Sequence, residues 1–188
     1  MNLPNKLTLL RIALVPLFVA LLLIPGIPYR EVWAFVVFSI ASFTDMLDGK
    51  IARKQGLVTD FGKFADPVAD KILTMSAFLC FVALNWADVA LVIIILAREF
   101  IVTSIRLVAA GGGTVIAANR WGKAKTVSQI FAILLILALQ AVNRATGYAH
   151  LVLFWWIGFA ALCICTALTL ISGVVYVWQN RSLIKNVK

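Results

Sequence analysis

Asp45-Met46-Leu47-Asp48-Gly49-Lys50-Ile51-Ala52-Arg53 is followed, after eight residues, by Gly62, Asp66 and Asp70. Asp45 and Asp48 are three positions apart and Asp66 and Asp70 four, so on helices each pair shares one face. A tight connection around Gln55 to Asp60 would fold the two helices antiparallel and let both pairs converge. The pairs stand at the adjoining ends of two long apolar runs, where an ionised group is expensive: a central Asp costs about 2.5–3.5 kcal/mol on insertion scales, less near the interface. Four carboxylates also repel one another, so something positive must neutralise them. An oxygen-only ligand set favours a hard cation, Mg2+ or Mn2+. Two such ions between the pairs could activate an attacking hydroxyl and stabilise a leaving phosphate.

Composition puts these aspartates in a membrane. Apolar residues make up 63% of the 188-residue chain, charged residues 13%, and mean hydropathy is +1.00. A soluble domain carries about half apolar and a quarter charged residues, so the excess here must face lipid. The net charge of +9 could point to nucleic acid, but no aromatic-basic stripe accompanies it. An anionic membrane face and anionic substrates fit better. Cys80, Cys163 and Cys165 lie in apolar segments without a CxxC pair and read as small packing residues. The first apolar run, 7–24, has no A-x-A-like site after it and reads as a retained helix.

Six segments approach the roughly 20 apolar residues of a membrane span: 7–24, 32–54, 61–84, 88–109, 122–142 and 150–178. Turn residues separate them, at Pro25-Gly26-Ile27-Pro28, Asn85 to Asp88, Gly111-Gly112-Gly113 and Asn143 to Gly147. The fold expected is an all-α membrane protein of six spans and one domain over 1–188. Both termini then share one side, which holds all but Arg30 and Arg144 of the 17 Lys and Arg residues. By the positive-inside rule that side is cytoplasmic, and the aspartates lie on it.

Gly49 falls four positions after Asp45, on the carboxylate face, and leaves room for a bulky nucleotide; Ala52 keeps the next position small. Gly62 stands four before Asp66 and can do the same, although close helix packing is the other reading of both glycines. Arg98, midway along an apolar run, can reach the carboxylates or pair structurally with an acidic residue. Arg11 can line the same pocket or snorkel to headgroups. Ala161, Cys165, Thr169 and Gly173, at intervals of four, form a small-residue stripe suited to a dimer seam or an intrachain contact. The triple glycine lacks the strand and Lys-Ser/Thr of a phosphate loop and reads as a linker. His150 has no ligand partners nearby in sequence. Trp155, Trp156, Trp178, Tyr148 and Tyr176 fit interfacial anchoring, with a reach into the cytoplasmic cavity as the alternative for Tyr176.

The pattern D-x2-D-G-x2-A-R-x8-G-x3-D-x3-D resembles that of the CDP-alcohol phosphatidyltransferase family, with all eight fixed positions matched and the spacing intact. Asn2 to Asn5, Leu7-Thr8-Leu9-Leu10-Arg11, Asp66 to Lys71, Arg98-Glu99-Phe100 and Gly122 to Thr126 are similar to the bacterial branch whose acceptor is glycerol 3-phosphate. The resemblance implies a six-helix homodimer in the bacterial inner membrane, each subunit with a cytoplasm-facing cavity. It implies that Asp45, Asp48, Asp66 and Asp70 hold two divalent ions and that Asp70 is the general base. Gly49, Ala52 and Arg53 correspond to positions near the CDP moiety, Thr8 to the lipid-nucleotide pocket, and Arg106 and Lys123 to holders of the acceptor's phosphate. The implied reaction transfers a phosphatidyl group from CDP-diacylglycerol to sn-glycerol 3-phosphate, giving phosphatidylglycerophosphate and CMP.

Other readings remain open at this stage. Serine, an inositol phosphate or phosphatidylglycerol could be the acceptor, because the aspartate motif holds the donor and the metals. An intramembrane prenyltransferase also uses Asp-rich helices, but splits its carboxylates between distant helices rather than placing them within 26 residues, Asp45 to Asp70. A cation transporter would need acids or broken helices near the midplane, whereas these gather at one end among Arg and Lys.

Overall fold

Turn chemistry sets the helix ends. The computed structural model describes the backbone of residues 3–55, 60–111 and 120–181, and the side chains of residues 9–44, 71–107, 109 and 120–181. Within those residues the chain is all α: α1 (Leu3–Leu23), α2 (Arg30–Gln55), α3 (Asp60–Ala83), α4 (Val89–Gly111), α5 (Arg120–Ala145) and α6 (Leu151–Gln179). The six segments expected from hydropathy are recovered, with their ends displaced by a few residues.

Two of the sequence's turn signals are Schellman caps. Asn85 takes φ of 58° after α3, while Trp86 N–H donates to Phe81 O at 2.8 Å and Asn85 N–H to Val82 O at 3.1 Å. Gly147 takes φ of 63° after α5, while Tyr148 N–H donates to Asn143 O at 2.7 Å and Gly147 N–H to Arg144 O at 3.1 Å. Both satisfy carbonyls that the helix end leaves open, using residue types that tolerate left-handed backbone. Asp88 then starts α4: its Oδ1 accepts from Ala90 N–H at 2.9 Å and Leu91 N–H at 3.1 Å, an N-cap.

α1 packs against α2 and α3, α5 against α2, α3 and α6, and α4 against α6 and α3. Phe18, Leu22, Phe38, Phe78, Phe81, Ile95, Ile133, Leu137 and Leu162 fill the space between them. The exterior departs from that of a water-soluble bundle, and several polar side chains join the apolar core. Arg11, Glu31, Glu99, Lys125, Gln129 and Asn143 are buried, while Trp33, Phe43, Ile93, Phe100, Phe131, Ile164 and Val174 are exposed. So many exposed large apolar side chains suit contact with lipid tails. Among the described residues, α5 and α6 are long and apolar enough to cross a membrane. α4 is interrupted by Arg98, Glu99 and Arg106, whose partners are described below.

Helices in a bilayer gain no hydrophobic drive toward one another and associate through small residues and polar contacts. Of the small-residue stripe on α6, Cys165 and Thr169 are buried and Ala161 packs on the core. A Cβ on Gly173 would lie 3.0 Å from Arg98 Cγ of α4. The stripe is therefore an intrachain seat for the α4 arginine, which answers the alternative left open between dimer seam and internal contact.

Candidate active site

The two ends of the bundle are told apart by their cross-helix contacts. At one end, Arg144 of α5 reaches Glu31 at the start of α2, with Nη1 to Oε2 3.0 Å. At the other, Lys71 of α3 donates to Thr103 of α4, and Lys125 of α5 donates to Glu99 of α4 at 2.5 Å. Asp45 stands fourteen residues along α2 from Glu31, about 21 Å by helical rise. It therefore lies toward the second end, as does Asp70, which directly precedes Lys71 on α3. Asp45 and Asp48 are on α2, and Asp66 and Asp70 on α3. The side chains of these four lie outside the described residues, as do those of Thr8, Gly49, Ala52, Arg53 and Gly62, so their convergence does too. Gly112 and Gly113 lie outside them altogether.

Arg106 and Lys123 are described, and both are exposed. Arg106 projects from the last turns of α4, with its guanidinium carbon 5.4 Å from the centroid of the Tyr176 ring on α6. Lys123 occupies the first turn of α5. They belong to the same end of the bundle as Lys71 and the aspartate-bearing segments.

Beneath them is a polar network that the motif does not announce. Glu99 Oε1 accepts from Lys125 Nζ at 2.5 Å, Arg98 Nη1 at 3.3 Å and Gln129 Nε2 at 3.4 Å. Arg98 Nη2 continues to Ser172 Oγ of α6 at 2.6 Å, and Thr103 Oγ1 caps the Glu99 carbonyl at 2.6 Å. One carboxylate thus joins α4 to α5 directly and to α6 through Arg98. Arg98 therefore has the structural pairing that its mid-helix position suggests, with its sequence neighbour Glu99 itself. The signal available in the sequence was an Arg-Glu dipeptide inside an apolar run; Gln129 and Ser172 carried none.

Two expectations change. Tyr176 is not an interfacial anchor: it is 2% exposed, held between α6 and α4, because it sits on the α6 face that packs against α4 rather than the face turned to lipid. Arg11 does not snorkel to headgroups: it is 1% exposed, among the largest fully buried side chains. Trp156, Trp178 and Tyr148 are exposed, as interfacial residues should be. His150 is exposed and lies beside Phe154, with centroids 5.4 Å apart and the rings tilted by 50°.

The described residues contain no cluster of three His, Cys, Asp or Glu side chains able to hold a metal, and the side chains of the four motif aspartates lie outside them.

Residues 1–165 match the sequence pattern of CDP-alcohol phosphatidyltransferases. The chain is 41% identical, over 98% of its length and 97% of the relative's, to the CDP-diacylglycerol–glycerol-3-phosphate 3-phosphatidyltransferase of Bacillus subtilis. It is 38% identical to the protein of the same name in Rickettsia typhi, over 93% of this chain and 94% of that one. A probable phosphatidylglycerophosphate synthase of Mycobacterium tuberculosis is 39% identical over 94% of this chain and 80% of its own. With the motif complete, the helices that carry it in place and this similarity along nearly the whole chain, the protein belongs to the CDP-alcohol phosphatidyltransferase family.

Proposed function

We infer that this protein transfers the phosphatidyl group of CDP-diacylglycerol to sn-glycerol 3-phosphate, releasing CMP. The observation that carries the reading is the coincidence, at one end of the bundle, of the helix segments bearing the four aspartates with the exposed cations Arg106 and Lys123. The curated relatives bear the name of this reaction over nearly their whole length.

Asp45, Asp48, Asp66 and Asp70 would hold two divalent ions, Mg2+ or Mn2+, which when bound neutralise phosphate charge and acidify an alcohol. Arg106 and Lys123 bind the acceptor's phosphate and so choose a phosphorylated alcohol over a neutral one. Gly49, Ala52 and Arg53 accommodate the CDP moiety, with Thr8 beside the lipid-nucleotide pocket. The free primary hydroxyl of the acceptor attacks the β-phosphorus, and Asp70 takes its proton. A new P–O bond forms to the acceptor as the bond between the two phosphorus centres' bridging oxygen and the β-phosphorus breaks, and that oxygen leaves with CMP.

The apolar exteriors of the helices support a reading in which all six cross the bilayer, α4 included, since its mid-helix charges are paired internally. The distribution of Lys and Arg supports cytoplasmic termini and a cytoplasmic site, and the expected homodimer belongs to the same reading.

The test is an acceptor panel. Purified protein with Mg2+ or Mn2+ and CDP-diacylglycerol is given glycerol 3-phosphate, serine, inositol phosphate or phosphatidylglycerol, and CMP is followed. Release with glycerol 3-phosphate alone is expected. Release with another acceptor would overturn the assignment to Arg106 and Lys123.

A further inference from the structure

An exposed arginine that must bind a phosphate loses rotamer freedom when it does so, because its side chain carries about 2 kcal/mol of that entropy. Arg106 is partly relieved of this loss. Its guanidinium carbon stands 5.4 Å from the centroid of the Tyr176 ring, within the range of a cation–π contact. The ring is itself 2% exposed, so the platform does not move with solvent. One turn earlier on α6, Ser172 Oγ accepts from Arg98 Nη2 at 2.6 Å, and Gly173 admits the Arg98 stem. One turn later, Asn180 Nδ2 donates to the Tyr176 carbonyl at 2.8 Å. The ring therefore sits at the α4–α6 contact, one turn from the Arg98–Ser172 bond that ties the two helices together. Its hydroxyl has no hydrogen-bond partner among the described residues, which leaves the aromatic face as the part in use.

We propose that Tyr176 is a positioning residue, whose ring face holds Arg106 in the orientation that receives the acceptor's phosphate. The proposal rests on the assignment of Arg106 made above. It acts on acceptor binding and not on the displacement at phosphorus, so the signature is a change in KM for glycerol 3-phosphate without a change in kcat.

The experiment replaces Tyr176 by phenylalanine and by pentafluorophenylalanine, which keeps ring shape but removes the negative face. Both are assayed in the full-length detergent-solubilised protein beside Tyr176→Leu, with Arg106→Ala as the reference. Tyr176→Phe is expected to hold KM for glycerol 3-phosphate within about twofold, while pentafluorophenylalanine and Tyr176→Leu raise it about 3–10-fold. In all three, kcat and the KM for CDP-diacylglycerol stay at the wild-type value, and in an Arg106→Ala background the ring substitutions add nothing. Equal KM values for the phenylalanine and pentafluorophenylalanine proteins would overturn the proposal, as would Tyr176→Phe impaired as much as Tyr176→Leu, or a fall in kcat at unchanged KM. If Arg106→Ala itself leaves KM unchanged, the assignment of the acceptor phosphate fails and this proposal with it. If Arg106→Ala raises KM and fluorination does not, the ring's role alone is refuted.

Discussion

Glu31 and Glu99 are built to the same plan and used differently. Each follows an arginine in sequence, each is buried, and each is bridged by a basic residue of α5. Glu31 lies in the first turn of α2, where Arg30 and Arg144 keep 24% and 34% of their side chains exposed. Glu99 lies midway along α4, where Arg98 and Lys125 keep only 10% and 8%. The first pair closes the end of the bundle remote from the aspartate-bearing segments, and its arginines can turn to water. The second lies inside, where loss of the carboxylate would strand two cations. Both carboxylates are enclosed, so the exposure of their basic partners, rather than pairing itself, decides what each bridge is worth.

The largest effect should come from the deep site. Glu99→Ala leaves Arg98 and Lys125 without their described carboxylate and is expected to destabilise the fold by roughly 3–5 kcal/mol, read as a fall in melting temperature in detergent. Gly173→Ala tests the same site through packing. Its Cβ would meet Arg98 Cγ at 3.0 Å, and Arg98 is tied at both Glu99 and Ser172 and cannot easily yield. A loss of roughly 1–3 kcal/mol is expected, and a stable Gly173→Ala protein would show that the arginine is looser than drawn. Glu31→Ala should cost only about 1.5 kcal/mol, since the arginines it frees can turn to solvent. A loss equal to that of Glu99→Ala would abolish the distinction. Asn85→Ala, at the cap that ends α3, should cost about 1 kcal/mol or less, the penalty for a left-handed residue without a side-chain amide.

The same contrast explains what the sequence disclosed. Helices and their ends were legible because their signals are local: a run of apolar residues, Asn85 or Gly147 at a cap, Asp88 at an N-terminus. The two glutamate bridges were not, because Glu31 and Arg144 are 113 positions apart and Glu99 and Lys125 are 26 apart. Only packing brings them together. Tyr176 was misread for a related reason. Its place near a helix end suits an interfacial anchor, and only the neighbouring α4 reveals that it faces inward. The aspartate motif, by contrast, is recognisable in the sequence, because residue type and interval are fixed together within 26 positions.

The account's central claim is that chemistry belongs to the end that carries the aspartates and that the Glu31 end only closes the bundle. Its most direct test is CMP release from CDP-diacylglycerol with glycerol 3-phosphate by two variants, Asp70→Asn and Glu31→Gln, each scaled to folded protein. The account predicts a loss of about 10²–10⁴-fold for Asp70→Asn and turnover, per folded protein, within about twofold of wild type for Glu31→Gln. Wild-type turnover by Asp70→Asn, or a comparable loss in Glu31→Gln, would contradict it.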